Sequence, residues 1–125
     1  MISMIRMLLA AEAVVFGIAS SIHAGVLLSG YEHREARIAE TVIAVVLLAG
    51  LVVTLAAPSM SRRAGLLSQG FALLGTIVGA VMIAIGVGPR SALDYALHTT
   101  MIVLLVSGIV VVLRESRRNA SMHAA

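Results

Sequence analysis

The chain has 125 residues, of which 60% are apolar or aromatic and only 12% are charged, with a mean hydropathy of +1.06. Water-soluble domains carry roughly a quarter charged residues, so this composition excludes an ordinary soluble globule and describes a chain whose surface faces lipid or other protein. Zero Cys removes disulfides, thiolate ligands and thiol redox chemistry. The formal charge of +3 rests on nine basic residues, all Arg, with two Tyr, two Phe and no Trp beside them, which is a poor stacking surface and argues against a nucleic-acid partner.

Four apolar stretches reach the about 20 residues that a helix needs to cross a bilayer. The first runs from about Met7 to Leu28, interrupted by Glu12 and His23. The junction after Gly30 has no further Gly or Pro and alternates in charge, so the second helix is expected to begin outside the membrane, with its span over about 39–57 and a stop at Pro58-Ser59-Met60-Ser61. The third covers about 64–87 and closes with Gly86-Val87-Gly88-Pro89; the fourth covers about 91–113 and carries Asp94 and His98 near its start. The expectation is an all-α, integral membrane four-helix bundle, one transmembrane domain over residues 1–125. A cleaved signal peptide ending near Ala19-Ser20-Ser21 fits less well, because the apolar run continues to Leu28.

Arg6, Arg62, Arg63, Arg114, Arg117 and Arg118 fall on one side of this arrangement and Arg34, Arg37 and Arg90 on the other. Basic residues stay with the cytoplasmic loops, so both termini are expected in the cytoplasm of a bacterial cell, with the protein in its inner membrane. Small residues should mediate helix contact in lipid: Gly17, Ser21 and Gly25 at four-residue spacing in span one, and Gly75 and Gly79 as a GxxxG in span three. Either packing inside one bundle or a homodimer face would use them.

Ionisable residues within a span are costly and point to function. His23 lies about 8 Å and His98 about 10 Å inside the outer surface, and Glu40 begins span two at that surface. Three polar groups on three helices thus share one layer. Asp94, one turn before His98, is placed to orient its imidazole as a supporting carboxylate. His33, Arg37 and Glu40 form a stripe in which surface ion pairing is the simpler reading. On the cytoplasmic side Glu12 and Gln69 stand at similar depth. They could hydrogen-bond across two helices, or Glu12 could couple protons along a path toward His23, about 16 Å away on the same face.

Four spans and the dipeptide Ala11-Glu12 resemble the small multidrug resistance exporters, a resemblance that implies a proton-exchanging role for Glu12. Those exporters also use a Trp at the substrate, which this chain lacks. From His23-Ala24-Gly25-Val26-Leu27-Leu28 through Gly30-Tyr31-Glu32-His33-Arg34 the chain is similar to small four-span bacterial inner-membrane proteins of unassigned activity.

No HExxH, di-iron Glu-x-x-His pair, nucleophile elbow or phosphate loop occurs. The leading expectation is therefore a binding or redox-accessory protein, in which His23, His98 and Glu40, supported by Asp94, hold a metal ion, haem or a quinone headgroup near the outer face. The alternatives are a proton-coupled small transporter using Glu12, with Gln69 beside it, and a structural subunit or assembly factor of a larger membrane complex.

Overall fold

A computed structural model describes residues 2–124, with side chains described through Arg114; the side chains of Arg117 and Arg118, used above for orientation, lie outside the described residues. It is all-helical: α1 (Ile2–His23), α2 (Arg34–Ala56), a single 3-10 turn (Pro58–Met60), α3 (Ser61–Ala84) and α4 (Ala92–Ala124), with no strand among the described residues. All four helices are long and apolar enough to cross a membrane. At 1.5 Å per residue the 22 residues of α1 span about 33 Å, close to the thickness of a hydrocarbon core.

Each helix packs on the next in sequence, α1 also touches α4, and the diagonal contact is between α1 and α3. Short connections make sequential neighbours antiparallel, which gives a closed bundle with α1 at its centre of contacts. The inward stripe of α1 is Ile5, Leu9, Ala13, Phe16 and Ala19, and it meets Ile43 and Leu47 of α2, Ala72 of α3, and Met101, Leu105 and Val112 of α4. The opposite faces carry exposed Val14, Val45, Val52, Leu67, Leu74 and Val103, the surface that lipid would cover.

Helix ends explain where the predicted boundaries shift. Helix α1 stops at His23 instead of continuing to Leu28 because Gly25 takes φ +73. The Val26 amide then donates to Ser21 O and the Gly25 amide to Ile22 O, the paired bonds of a Schellman cap. Gly86, at φ +87, ends α3 the same way through Gly86 N to Ile83 O and Val87 N to Met82 O. The Arg90 Nε donates to Ile83 O at 3.1 Å and covers that same terminus. Helix α2 begins outside the predicted span, at Arg34, where the His33 Nδ1 accepts from the Ala36 amide at 3.3 Å.

The small residues of α1 do other work than the expected packing stripe. Gly17 has nothing within 4 Å of a Cβ position, Gly25 is the cap, and Ser21 Oγ donates to Gly17 O within its own helix. Close approach occurs instead on α3, where a Cβ on Gly75 would lie 2.9 Å from Ile43, and at Gly50 and Gly108, which face Ser68 and the Glu12–Gln69 pair.

Candidate functional site

At one end of the bundle, where α1 and α3 finish and α2 and α4 begin, four turns of local structure bring three ionisable side chains together. His23 is the last residue of α1, and the following loop folds back so that the His33 amide donates to His23 O at 3.0 Å. Ser91 and Asp94 form a reciprocal cap at the start of α4: the Ser91 amide donates to Asp94 Oδ2 at 2.7 Å, the Ser91 hydroxyl does so at 2.5 Å, and the Asp94 amide donates back to Ser91 Oγ at 3.2 Å. This commits one carboxylate oxygen of Asp94 to its own helix and aims the other across the bundle.

That second oxygen, Oδ1, lies 2.9 Å from His23 Nε2, and Glu40 Oε2 of α2 lies 2.8 Å from His23 Nδ1. All three side chains are buried. Two hydrogen bonds among these groups need two protons, carried either by an imidazolium between two carboxylates or by a neutral imidazole and one carboxyl. The cluster has a net charge of −1 in both cases, and the proton positions belong to the three groups jointly. Among the described residues no Arg hydrogen-bonds to either carboxylate.

Beside this cluster is a cavity of about 570 Å³. Its wall is mostly apolar, with Phe16, Ile43, Met82, Ile83 and Met101, and its polar groups include Glu40, Thr76 and His98. His33 and the exposed Glu35 also line it. Glu40 belongs to both features: Oε2 bonds His23, while Oε1 is buried and has no protein hydrogen-bond partner. His98 Nδ1 donates to the Asp94 backbone carbonyl at 2.9 Å. Its Nε2 would lie 2.8 Å from a Cβ on Gly79, so only a glycine there leaves the ring its present place.

The predicted layer of polar residues is thus present, but its partners are arranged differently. His23 and Asp94 do not line the cavity, and both His23 nitrogens are engaged by carboxylates, so no ring nitrogen remains for a shared ligand with His98. The Asp94 carboxylate orients His23, not His98; only its main-chain oxygen meets His98. Among the described residues no group of three or more His, Cys, Asp or Glu is positioned to hold a metal ion, so metal binding is not supported. Thr76 and Ser91 were missed by the sequence reading. Ser91-Ala92-Leu93-Asp94 has the spacing of a capping box, a signal that could have found Ser91 and the split loyalty of Asp94.

At the other end of the bundle the Gln69 Nε2 donates to Glu12 Oε1 at 2.9 Å, both side chains fully buried. Glu12 Oε2 and Gln69 Oε1 have no further partner, so this pair does not extend into a chain toward His23. The loop carboxyl of Glu32 is held below the usual carboxylate range by amide hydrogen bonds from Glu32 itself and from Gly30, the latter at 2.9 Å. No protein-family model, curated protein or solved structure matches this chain, so its functional reading rests on its own residues.

Proposed function

We propose that this protein is a small membrane binding protein with a redox-accessory role, whose cavity takes a quinone-class headgroup near the outer face of a bacterial cytoplasmic membrane. One observation carries the reading. Glu40, whose Oε1 is buried without a hydrogen-bond partner, and His98 are among the few polar residues that line an otherwise apolar cavity. Leaving such an atom unpaired is costly, and a volume of about 570 Å³ falls in the range of small-molecule sites, about 300–1,000 Å³. The apolar wall suits a ring and tail; Glu40 and His98 suit its polar substituents. A metal fits less well, since among the described residues no group of three or more His, Cys, Asp or Glu is placed to hold one.

The test is solvent extraction of protein purified in mild detergent, with the co-purifying isoprenoid quinones quantified. Near-stoichiometric quinone in the wild type, lost in Glu40→Ala and His98→Ala, is the expected result. A Soret band or stoichiometric metal in the same sample would replace this reading with the haem or metal one.

A structural role, as a subunit or assembly factor of a larger membrane complex, is the second reading, and the Glu12–Gln69 hydrogen bond favours it for the opposite end of the bundle. It treats Glu12 as interhelical glue, where a proton-coupled transporter would need it exposed to a translocated proton. Glu12→Gln should leave ion or drug uptake into proteoliposomes unchanged; abolished coupled uptake would restore the transporter.

A further inference from the structure

Helices α2 and α3 pack closely over one stretch and part toward the His23 end. A Cβ on Gly50 would lie 2.8 Å from Ser68 Cβ, and one on Gly75 would lie 2.9 Å from Ile43 Cδ1, so the close stretch reaches as far as Ile43. Past that contact the cavity lies between them, lined by Ala36 and Ala39 on α2 and by Val78, Gly79 and Met82 on α3. Its wall passes from the core of the bundle to the outside. On α2, Glu40 and Ile43 are each 5% exposed, while Ala39 beside them is exposed. On α3, Thr76 is 3% and Val78 50% exposed, and two residues along a helix stand about 200° apart around it. A wall that includes both therefore reaches the outer surface. Val78, Met82 and Ile85 continue there as one exposed apolar stripe, and no charged residue occurs in 41–61 or 64–89. The gap opens on the apolar band of the bundle.

Resting on the quinone-class reading above, we infer that the ligand is a tail-bearing molecule dissolved in the membrane, which reaches the cavity sideways through the gap between α2 and α3. Its ring lies inside, and its isoprenoid tail leaves between Ala39 and Val78 into the bilayer. A cavity of roughly 150 Å³ takes one benzene ring, so a space of about 570 Å³ leaves most of its volume to what the ring carries. The chemistry of the wall divides in the same way. Glu40 and Thr76 stand on the core side, whereas Ala39, Val78, Gly79 and Met82 at the gap have no side-chain group that would reward a polar solute with a hydrogen bond. A tail held there never crosses water, because its far end stays in lipid, and its gain comes from close contact with the two helices. The small residues Ala39 and Gly79 give the gap its width, and the unbranched Met82 side chain can swing aside for a ring.

The test is equilibrium titration of the full chain, at one fixed detergent concentration, with a tailless 1,4-benzoquinone and with the same ring carrying two isoprene units. Ala39→Trp and Val78→Trp each put an indole in the gap. Either should weaken binding of the tailed quinone about tenfold and leave the tailless one unchanged, while Val52→Trp, exposed elsewhere on α2, should alter neither. If a Trp variant fails to fold, the wild type still decides: a diazirine on the first isoprene unit should label residues 36–43 and 75–82 on illumination, and unlabelled tailed quinone should displace it. Labelling confined to α1 or α4, or not displaced, overturns the lateral route and leaves the quinone-class site standing. So do Trp variants that spare tailed binding or weaken both quinones alike. A Trp variant that breaks up a dimer in light scattering assigns the gap to a second copy and also overturns it. No binding of either quinone to the wild type removes the quinone reading itself, and this inference with it.

Discussion

Two buried carboxylates, Glu12 and Glu40, sit at opposite ends of the same bundle, and each has one oxygen in a hydrogen bond and one without a partner. Their surroundings separate them. Around Glu12 the backbone of α4 comes close: a Cβ on Gly108 would lie 2.6 Å from Glu12 Oε1 and 2.5 Å from Gln69 Nε2, so that side of the pair is filled by protein. Around Glu40 the helices part into a cavity of about 570 Å³. The lesson is that burial of an ionisable group marks a site only where there is also space beside it; without space, the same chemistry is glue.

Removing the imidazole should have the largest effect. His23→Ala leaves both Glu40 and Asp94 buried without their shared partner, and breaking a buried ionic contact from one side costs about 3–5 kcal/mol. Thermal unfolding in detergent should show a large drop in Tm for this variant and a much smaller one for Glu12→Gln, in which the amide can still pair with Gln69. Equal losses would erase the distinction between the two ends.

Adding one methyl group at each end sharpens the comparison. Gly108→Ala drives a Cβ into a closed polar contact, and overpacking of that kind costs about 1–3 kcal/mol, so stability should fall while quinone binding holds. Gly79→Ala pushes on the His98 ring, 2.8 Å away, which has a cavity to move into. Stability should change little, by under about 1 kcal/mol, while quinone affinity falls by an order of magnitude. The reverse pattern would place the binding site at the Glu12 end.

The smallest effect concerns the loop that folds over the His23 end. The Glu32 carboxyl is held below the usual carboxylate range by its amide hydrogen bonds, so its contribution is present above the unfolded carboxylate pKa and is lost as pH falls through the lower folded value. The protection factor of the Gly30 amide, whose N–H donates to Glu32 Oε2, should fall on acidification. In Glu32→Gln that pH dependence should disappear, with quinone binding unchanged.

Local chemistry settled much of this molecule in advance. Apolar runs of membrane length between charged residues specify four helices, because an unsatisfied backbone in lipid leaves no other form for such a run. The hydrogen bond of Glu12 with Gln69 and the shared depth of His23, Glu40 and His98 follow from counting residues along each helix. Helix ends were less legible: Gly25 reads equally as a packing residue or a cap, and only the chain's turn toward His33 decides for the cap.

Partner choice across the bundle was decided by the tertiary structure alone. Sequence puts Asp94 one turn from His98, yet the capping bonds of Ser91 rotate its carboxylate toward His23 on another helix. Depth along a helix comes from a 1.5 Å rise per residue that any reader can add up; azimuth around it, and the gap left between α2, α3 and α4, depend on how four helices settle against one another. That rotation is why His23 lies inside a carboxylate cluster while His98 faces the cavity.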